Sequence, residues 1–270
     1  MTSATASYFA VLGGRALNLS VPLRDGTVGC AVVFSRRRRA RRAEASLVTD
    51  DRGRPRAEAA VMLGAGGVAL PHGRWRVRLA VWGTDGTERV IRVRAPAAAA
   101  DTGPALRESP CPDTGITYTT SRSWRGRCVL DVRSGPPVAE VTRLALGLTG
   151  ADIAGRLVGA PPEASGYLVF RPRDAGAVVT ADAVICGDAF RAAVPLQELA
   201  DAAERVWDVW MCVRGVGELR VGRFLHDVRY PSLTFRVPAR VACPAPGSLV
   251  ALRPSYTATG GLSLACQKVP

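Results

Sequence analysis

The stretch Arg74-Trp75-Arg76-Val77-Arg78-Leu79-Ala80-Val81-Trp82 alternates its side chains with a period of two, the signature of a half-buried β-strand. Trp75, Val77, Leu79 and Val81 take one face; Arg74, Arg76, Arg78 and Trp82 take the other. Gly83-Thr84-Asp85-Gly86-Thr87 supplies a turn, with an Asp-Gly pair suited to positive φ. A second alternating strand runs from Glu88 to Arg94. Pairing Leu79 with Ile91 and Val77 with Val93 keeps both apolar faces on one side, because a one-residue slip would turn every side chain over. That register sets Glu88 across from Trp82, and Arg92 and Arg94 across from Arg78 and Arg76.

A similar hairpin returns in the second half. Val206 to Arg214 repeats the alternation with Trp207 in the place of Trp75, Gly215-Val216-Gly217 turns, and Leu219 to Phe224 runs back. Tyr118-Thr119-Thr120 through Gly126 to Leu130 also rhymes with Tyr256-Thr257-Ala258 through Gly261 to Leu264. These repeats predict an internal duplication, residues 1–134 and 135–270, each half with about seven short apolar segments at the spacing of a sandwich. Only residues 195–204 read as a helix, with Pro195 early as at the first helical position. The expected fold is all-β: two tandem immunoglobulin-like β-sandwich halves with one short helix in the second.

The 270 residues are 47% hydrophobic, and no apolar run reaches the roughly 20 residues of a membrane helix. Met1 to Tyr8 lacks the charged start and apolar stretch of a secretory signal, so a cytoplasmic protein is expected. Seven cysteines, an odd number with no CxxC pair, read as reduced thiols. With two histidines far apart in sequence, His72 and His226, metal chemistry is not expected. The net charge of +13 suggests an anionic partner, yet Lys268 is the only lysine. Part of that charge reads as the arginine bias of a high-GC, actinobacterial-type genome, and no nucleic-acid-binding motif accompanies it. The block Arg36 to Arg42 reads as a solvated loop, and residues 95–115 as a long connection able to cover a site. An exposed sheet edge allows a homodimer.

Signatures of serine hydrolases, nucleotide-binding loops and zinc proteases are absent from the sequence. Gly64 to Gly67 reads as a turn, and His226-Asp227 as strand neighbours facing opposite ways. The polar face of the first hairpin is the candidate site. A carboxylate beside an indole, Glu88 beside Trp82, can be desolvated and raised toward the range of a general base. Arg76, Arg78 and Arg92 on the same face can bind carboxylate or phosphate, His72 precedes the strand, and Arg56 and Glu58 fall on a neighbouring strand.

Gly73-Arg74-Trp75-Arg76-Val77-Arg78-Leu79 and the closing Arg253-Pro254-Ser255-Tyr256-Thr257 with Gly260-Gly261-Leu262 resemble the immunoglobulin-like accessory domains of actinobacterial glycosyl- and glycerophosphotransferases. On that resemblance the chain would be accessory architecture standing alone. In size and β-rich character the chain also resembles stand-alone actinobacterial Pictet–Spengler cyclases, which build β-carbolines. That second resemblance implies a cofactor-independent enzyme condensing tryptophan or a derivative with an aldehyde or keto acid. Glu88 would be the general base and His72 would assist; Arg56, Arg76 and Arg78 would hold the substrates' anions, and Trp82 would wall the indole. The partners would then be small amine and carbonyl compounds. The alternative is a non-catalytic binding or assembly module for an anionic glycopolymer or a partner transferase.

Overall fold

Period-two segments become strands throughout the computed structural model, which describes residues 3–97, 106, 108–161, 165–174, 176–202 and 205–269. The chain divides into two units, Met1–Pro112 with Ile116–Gly135, and Asp113–Gly115 with Pro136–Pro270. The first unit holds β1 (Ser3–Thr5), β2 (Tyr8–Leu12), β3 (Ala16–Pro22), β4 (Thr27–Arg36), β5 (Arg39–Thr49), β6 (Pro55–Met62), β7 (Gly73–Gly83), β8 (Glu88–Arg94), β9 (Thr117–Arg122) and β10 (Cys128–Arg133). The second unit begins with β11 (Val138–Leu146), β12 (Ala151–Val158), β13 (Gly166–Pro172), β14 (Val179–Cys186), β15 (Ala189–Ala193) and α1 (Leu196–Asp201). It continues with β16 (Arg205–Val213), β17 (Gly217–Gly222), α2 (Pro231–Thr234), β18 (Arg240–Ala245), β19 (Ser248–Tyr256) and β20 (Leu262–Val269). The fold is all-β and sandwich-like in each unit. No described helix is long and apolar enough to cross a membrane.

The two units share one topology. In the first, the strand order is β1-β8-β7-β4-β5-β6-β3-β2, with β10 joining β7 and carrying β9. In the second, β11-β17-β16-β13-β14-β15-β12 closes back on β11, with β20 joining β16 and carrying β19 and β18. The opening strand lies parallel to its partner in both, β1 on β8 and β11 on β17. The central strand of each unit is anchored by a fully buried tryptophan. Trp75 pairs with Leu130 on β10, and Trp207 pairs with Leu264 on β20. Each indole belongs to the core of its own unit, with Leu130 as cross-strand neighbour in one and Leu264 in the other.

The predicted hairpin register holds: Leu79 pairs with Ile91, Arg78 with Arg92 and Trp82 with Glu88. Nearer the start of the strand the partner changes. Arg76 faces Val129 of β10 rather than Arg94, and Arg94 bridges Arg127. The Arg36–Arg42 block is not a loop. Arg36 closes β4, Arg39 opens β5, and Arg36 pairs with Arg39 across a turn of two residues. Like charges are tolerated there because successive strand side chains point to opposite faces. Two further expectations need correction. The helix at α2 was not anticipated, its single turn being too short to show a helical period. Tyr118 and Tyr256 are not equivalent, because the register pairs Tyr118 with Val132 and Tyr256 with Leu262. The matching feature is the turn that follows: Ser123 N–H donates to Arg127 O, and Thr257 N–H to Gly261 O. Within the expected long connection, residues 98–105 and 107 lie outside the described residues.

Candidate anion-binding cleft

The sequence-predicted site residues do not converge. Glu88 sits opposite Trp82, as the register requires, but its carboxylate is taken by Arg42 of β5. Arg42 Nη1 donates to Glu88 Oε2 at 3.0 Å, and Nη2 donates to Oε1. The Arg42 hydrogen bonds and charge hold the Glu88 carboxyl below its usual range, opposite to the shift a general base near neutrality needs. His72 precedes Gly73, at the far end of β7 from Trp82. Trp82 lies nine positions along β7 from Gly73, about 30 Å at the strand rise. Its imidazole is exposed and its carbonyl accepts from the Arg36 guanidinium. Arg56 lies on β6, opposite Val48 and Pro22, 4.0 Å from Glu58. His226 serves the backbone: its Nδ1 accepts from Val228 N–H and its Nε2 bonds Arg223 O.

Arg76 and Arg78, in contrast, enter a cleft of about 770 Å³ within the first unit. Three pieces of backbone build it. The end of β4 contributes Ser35 and Arg36, and the tight turn adds Arg37. Strand β7 presents Arg74, Arg76 and Arg78 at alternate positions, about 6.7 Å apart on one face. The β9–β10 turn supplies Trp124, Arg125 and Arg127. That turn is held by Gly126 N–H to Ser123 O at 2.7 Å and Arg127 N–H to Ser123 Oγ at 3.0 Å, with Gly126 at a φ of +74°. Val129, buried and paired across the strands with Arg76, completes the lining.

Seven arginines and no carboxylate line this cleft among the described residues; Asp131, outside the lining, is 3.8 Å from Arg74 and already bonded by Ser121 Oγ at 2.7 Å. Among the described residues, Arg76, Arg78, Arg125 and Arg127 make no ion pair. Partial desolvation, then the charges of Arg92, Arg125, Arg76 and Arg78, push Arg127 below the ordinary guanidinium range. Trp124 is 87% exposed, with the Arg125 guanidinium stacked 4.1 Å from its ring centre. Arg37 has a φ of +50°, and among the described residues it is the non-glycine with positive φ. Left-handed backbone costs a side-chain-bearing residue about 1 kcal/mol, and such strain gathers at functional sites. Ser35 Oγ, in the cleft lining, is buried without a hydrogen-bond partner.

The duplicated second unit shows what this face looks like when it is neutralised internally. Anchoring Trp75 on Trp207 makes Asp208 the counterpart of Arg76, Trp210 of Arg78 and Arg173 of Arg37. Ala258, Thr259 and Gly261 stand where the first unit has Trp124, Arg125 and Arg127. Asp208 accepts from Ser263 Oγ at 2.6 Å and pairs with Arg173 at 3.2 Å and Arg220 at 3.0 Å. Arg171 is paired with Glu218. Trp210 has Arg171 and Arg220 each 5.4 Å from its ring. The charge count agrees. Residues 1–135 hold 22 of the 36 basic and 11 of the 23 acidic side chains, a net +11, whereas residues 136–270 carry +2. A genome-wide arginine bias would act on both halves, so it does not account for the difference.

No protein-family model matches the chain, and no curated protein matches its sequence. Among solved structures it is similar to residues 217–571 of S. aureus TarS, at 10% identity and a TM-score of 0.38, over 81% of this chain and 61% of that one. It is similar to a second S. aureus TarS structure at 10% identity and a TM-score of 0.36, spanning 39% of that chain. A tetra-tandem repeat from the extending region of a large adhesion protein matches at 11% identity and a TM-score of 0.23, over 99% of this chain and 73% of that one.

Proposed function

We propose that the chain is a non-catalytic binding module whose first unit holds an anionic glycopolymer. The observation that carries this reading is the cleft of seven arginines whose positive charge the protein leaves almost wholly uncompensated. Guanidinium forks suit carboxylate and phosphate oxygens, and their 6.7 Å spacing along β7 suits a ligand with repeated charges. Trp124 adds an apolar ring surface at the cleft mouth, on which a sugar ring can stack. A single aromatic favours a sugar over single-stranded nucleic acid, which is held by successive bases on several rings.

The cyclase reading finds less support. Its proposed base, Glu88, is ionised and engaged by Arg42, and its assisting His72 lies about 30 Å along the strand. Titrating an immobilised phosphodiester-linked polysaccharide with the full chain across a salt series tests the binding reading. Saturable retention that weakens steadily as salt rises is expected. Absence of retention at low salt would refute it. Incubation with tryptophan and a panel of aldehydes and keto acids tests the other: cyclised product that disappears in Glu88→Gln would restore the enzyme.

A further inference from the structure

We infer that the cleft of the first unit holds a phosphate group where the second unit holds its own Asp208 carboxylate, an inference that rests on the anionic-polymer reading above. In the second unit, that carboxylate gathers Arg173, Arg220 and the Ser263 hydroxyl around one point. In the first unit the anion is gone and the groups around it differ: Val129 takes the position of Ser263, and Arg92, outside the cleft lining, that of Arg220. Counted two residues past the paired Ser35 and Arg171, Arg37 falls at the position of Arg173, and the position of Asp208 is itself taken by a cation, Arg76. Arg127 is an added cation, standing where the second unit has Gly261 with Arg220 packed against it. The charge that would balance this point must come from a ligand.

The number and placement of the donors favour phosphate over carboxylate. A carboxylate has two oxygens in one plane, and one guanidinium fork satisfies it, as Arg42 does on Glu88. Arg37, Arg76 and Arg127 line the cleft from three separate backbone segments: the turn after β4, strand β7 and the β9–β10 turn. Tetrahedrally arranged phosphate oxygens can receive all three. Ser35, on the same face of β4 as its cross-strand neighbour Arg76, also lines the cleft, with a buried hydroxyl that has no hydrogen-bond partner. Its counterpart in the second unit is Arg171, which is occupied by Glu218. Arg37 is the first central residue of the two-residue turn between Arg36 and Arg39, which itself calls for a positive φ, and that turn sets its charge on the cleft.

Arg76→Asp recreates in the first unit the internal anion of the second. Isothermal titration of the full chain, wild type and variant, would use sodium polyphosphate and polygalacturonate at matched charge and fixed salt. Arg52→Asp, with the same charge change in the loop beyond the far end of β5, is the control. Wild type should bind polyphosphate about tenfold more tightly than polygalacturonate. Arg76→Asp should lose about a hundredfold on polyphosphate, and Arg52→Asp no more than about threefold. Should Arg76→Asp melt well below wild type, Arg76→Gln replaces it in the same comparison. Equal affinity for the two polymers, with both weakened by Arg76→Asp, would overturn the phosphate assignment while the anionic-polymer reading stands. Binding that Arg76→Asp and Arg52→Asp weaken alike would overturn both.

Discussion

Arg37 places backbone strain and charge at one residue, and the two can be separated. Arg37→Gly relieves the left-handed backbone while removing a cleft cation. Thermal unfolding should show stability unchanged or raised by up to about 1 kcal/mol, while affinity for an anionic polymer falls. A variant that both melts lower and binds as wild type would contradict the role given to this residue. Trp124 is separable in the same way, because Trp124→Ala changes no charge. Its exposed ring predicts a change in tryptophan fluorescence when polymer is added, against a background from fully buried Trp75 and Trp207 and from half-buried Trp82 and Trp210, which lie outside the cleft lining. In Trp124→Ala that change should vanish and affinity should fall by several-fold, in line with about 1 kcal/mol for ring stacking.

The elements explain which parts of this arrangement could be read from sequence. The β7–β8 hairpin was legible down to its register, because strict alternation and an Asp-Gly turn are local signals. So were Arg76 and Arg78 as anion ligands, since they share the polar face of that strand. The rest of the cleft is non-local. Strand β10 returns some fifty residues after Arg76 to pair with the start of β7, and this brings Arg125 and Arg127 beside it. The arginine block looked like a loop because charge repulsion was weighed without the strand's alternation of faces. Glu88 failed as a base for the same kind of reason. Its partner Arg42 lies two strands beyond β7, and only the sheet order β8-β7-β4-β5 reveals the pair. In the second unit, the Asp208 network makes its own prediction. Desolvation raises this carboxyl, but the Ser263 hydrogen bond and the charges of Arg220 and Arg173 outweigh it and hold the group below its usual value. A depressed carboxyl stabilises the fold above its unfolded pKa of about 4, and that stability is lost as pH falls through the lower folded value. Asp208→Asn should therefore cost about 1–3 kcal/mol at pH 7 in thermal unfolding, and the gap from wild type should narrow near pH 2. A gap that is constant with pH would show that the charge of Asp208 contributes nothing.

At the scale of the whole molecule, a single topology appears twice with opposite electrostatic outcomes. One copy completes its polar face with Asp208 and Glu218; the other leaves arginines open to a cleft. Both units bury a tryptophan at the same register position, while their polar faces differ in charge. Net positive charge alone would also attract polyanions, so position has to be separated from charge. The most direct measurement compares two triple variants of the full chain on one phosphodiester-linked polysaccharide at fixed salt. One is Arg76→Ala/Arg78→Ala/Arg127→Ala in the cleft, and the other is Arg24→Ala/Arg52→Ala/Arg133→Ala outside it. Both remove three charges from the first unit. A specific cleft predicts a dissociation constant raised at least about tenfold more by the first set than by the second. Equal losses would show that the protein binds through its overall charge, and the cleft would not be its functional site.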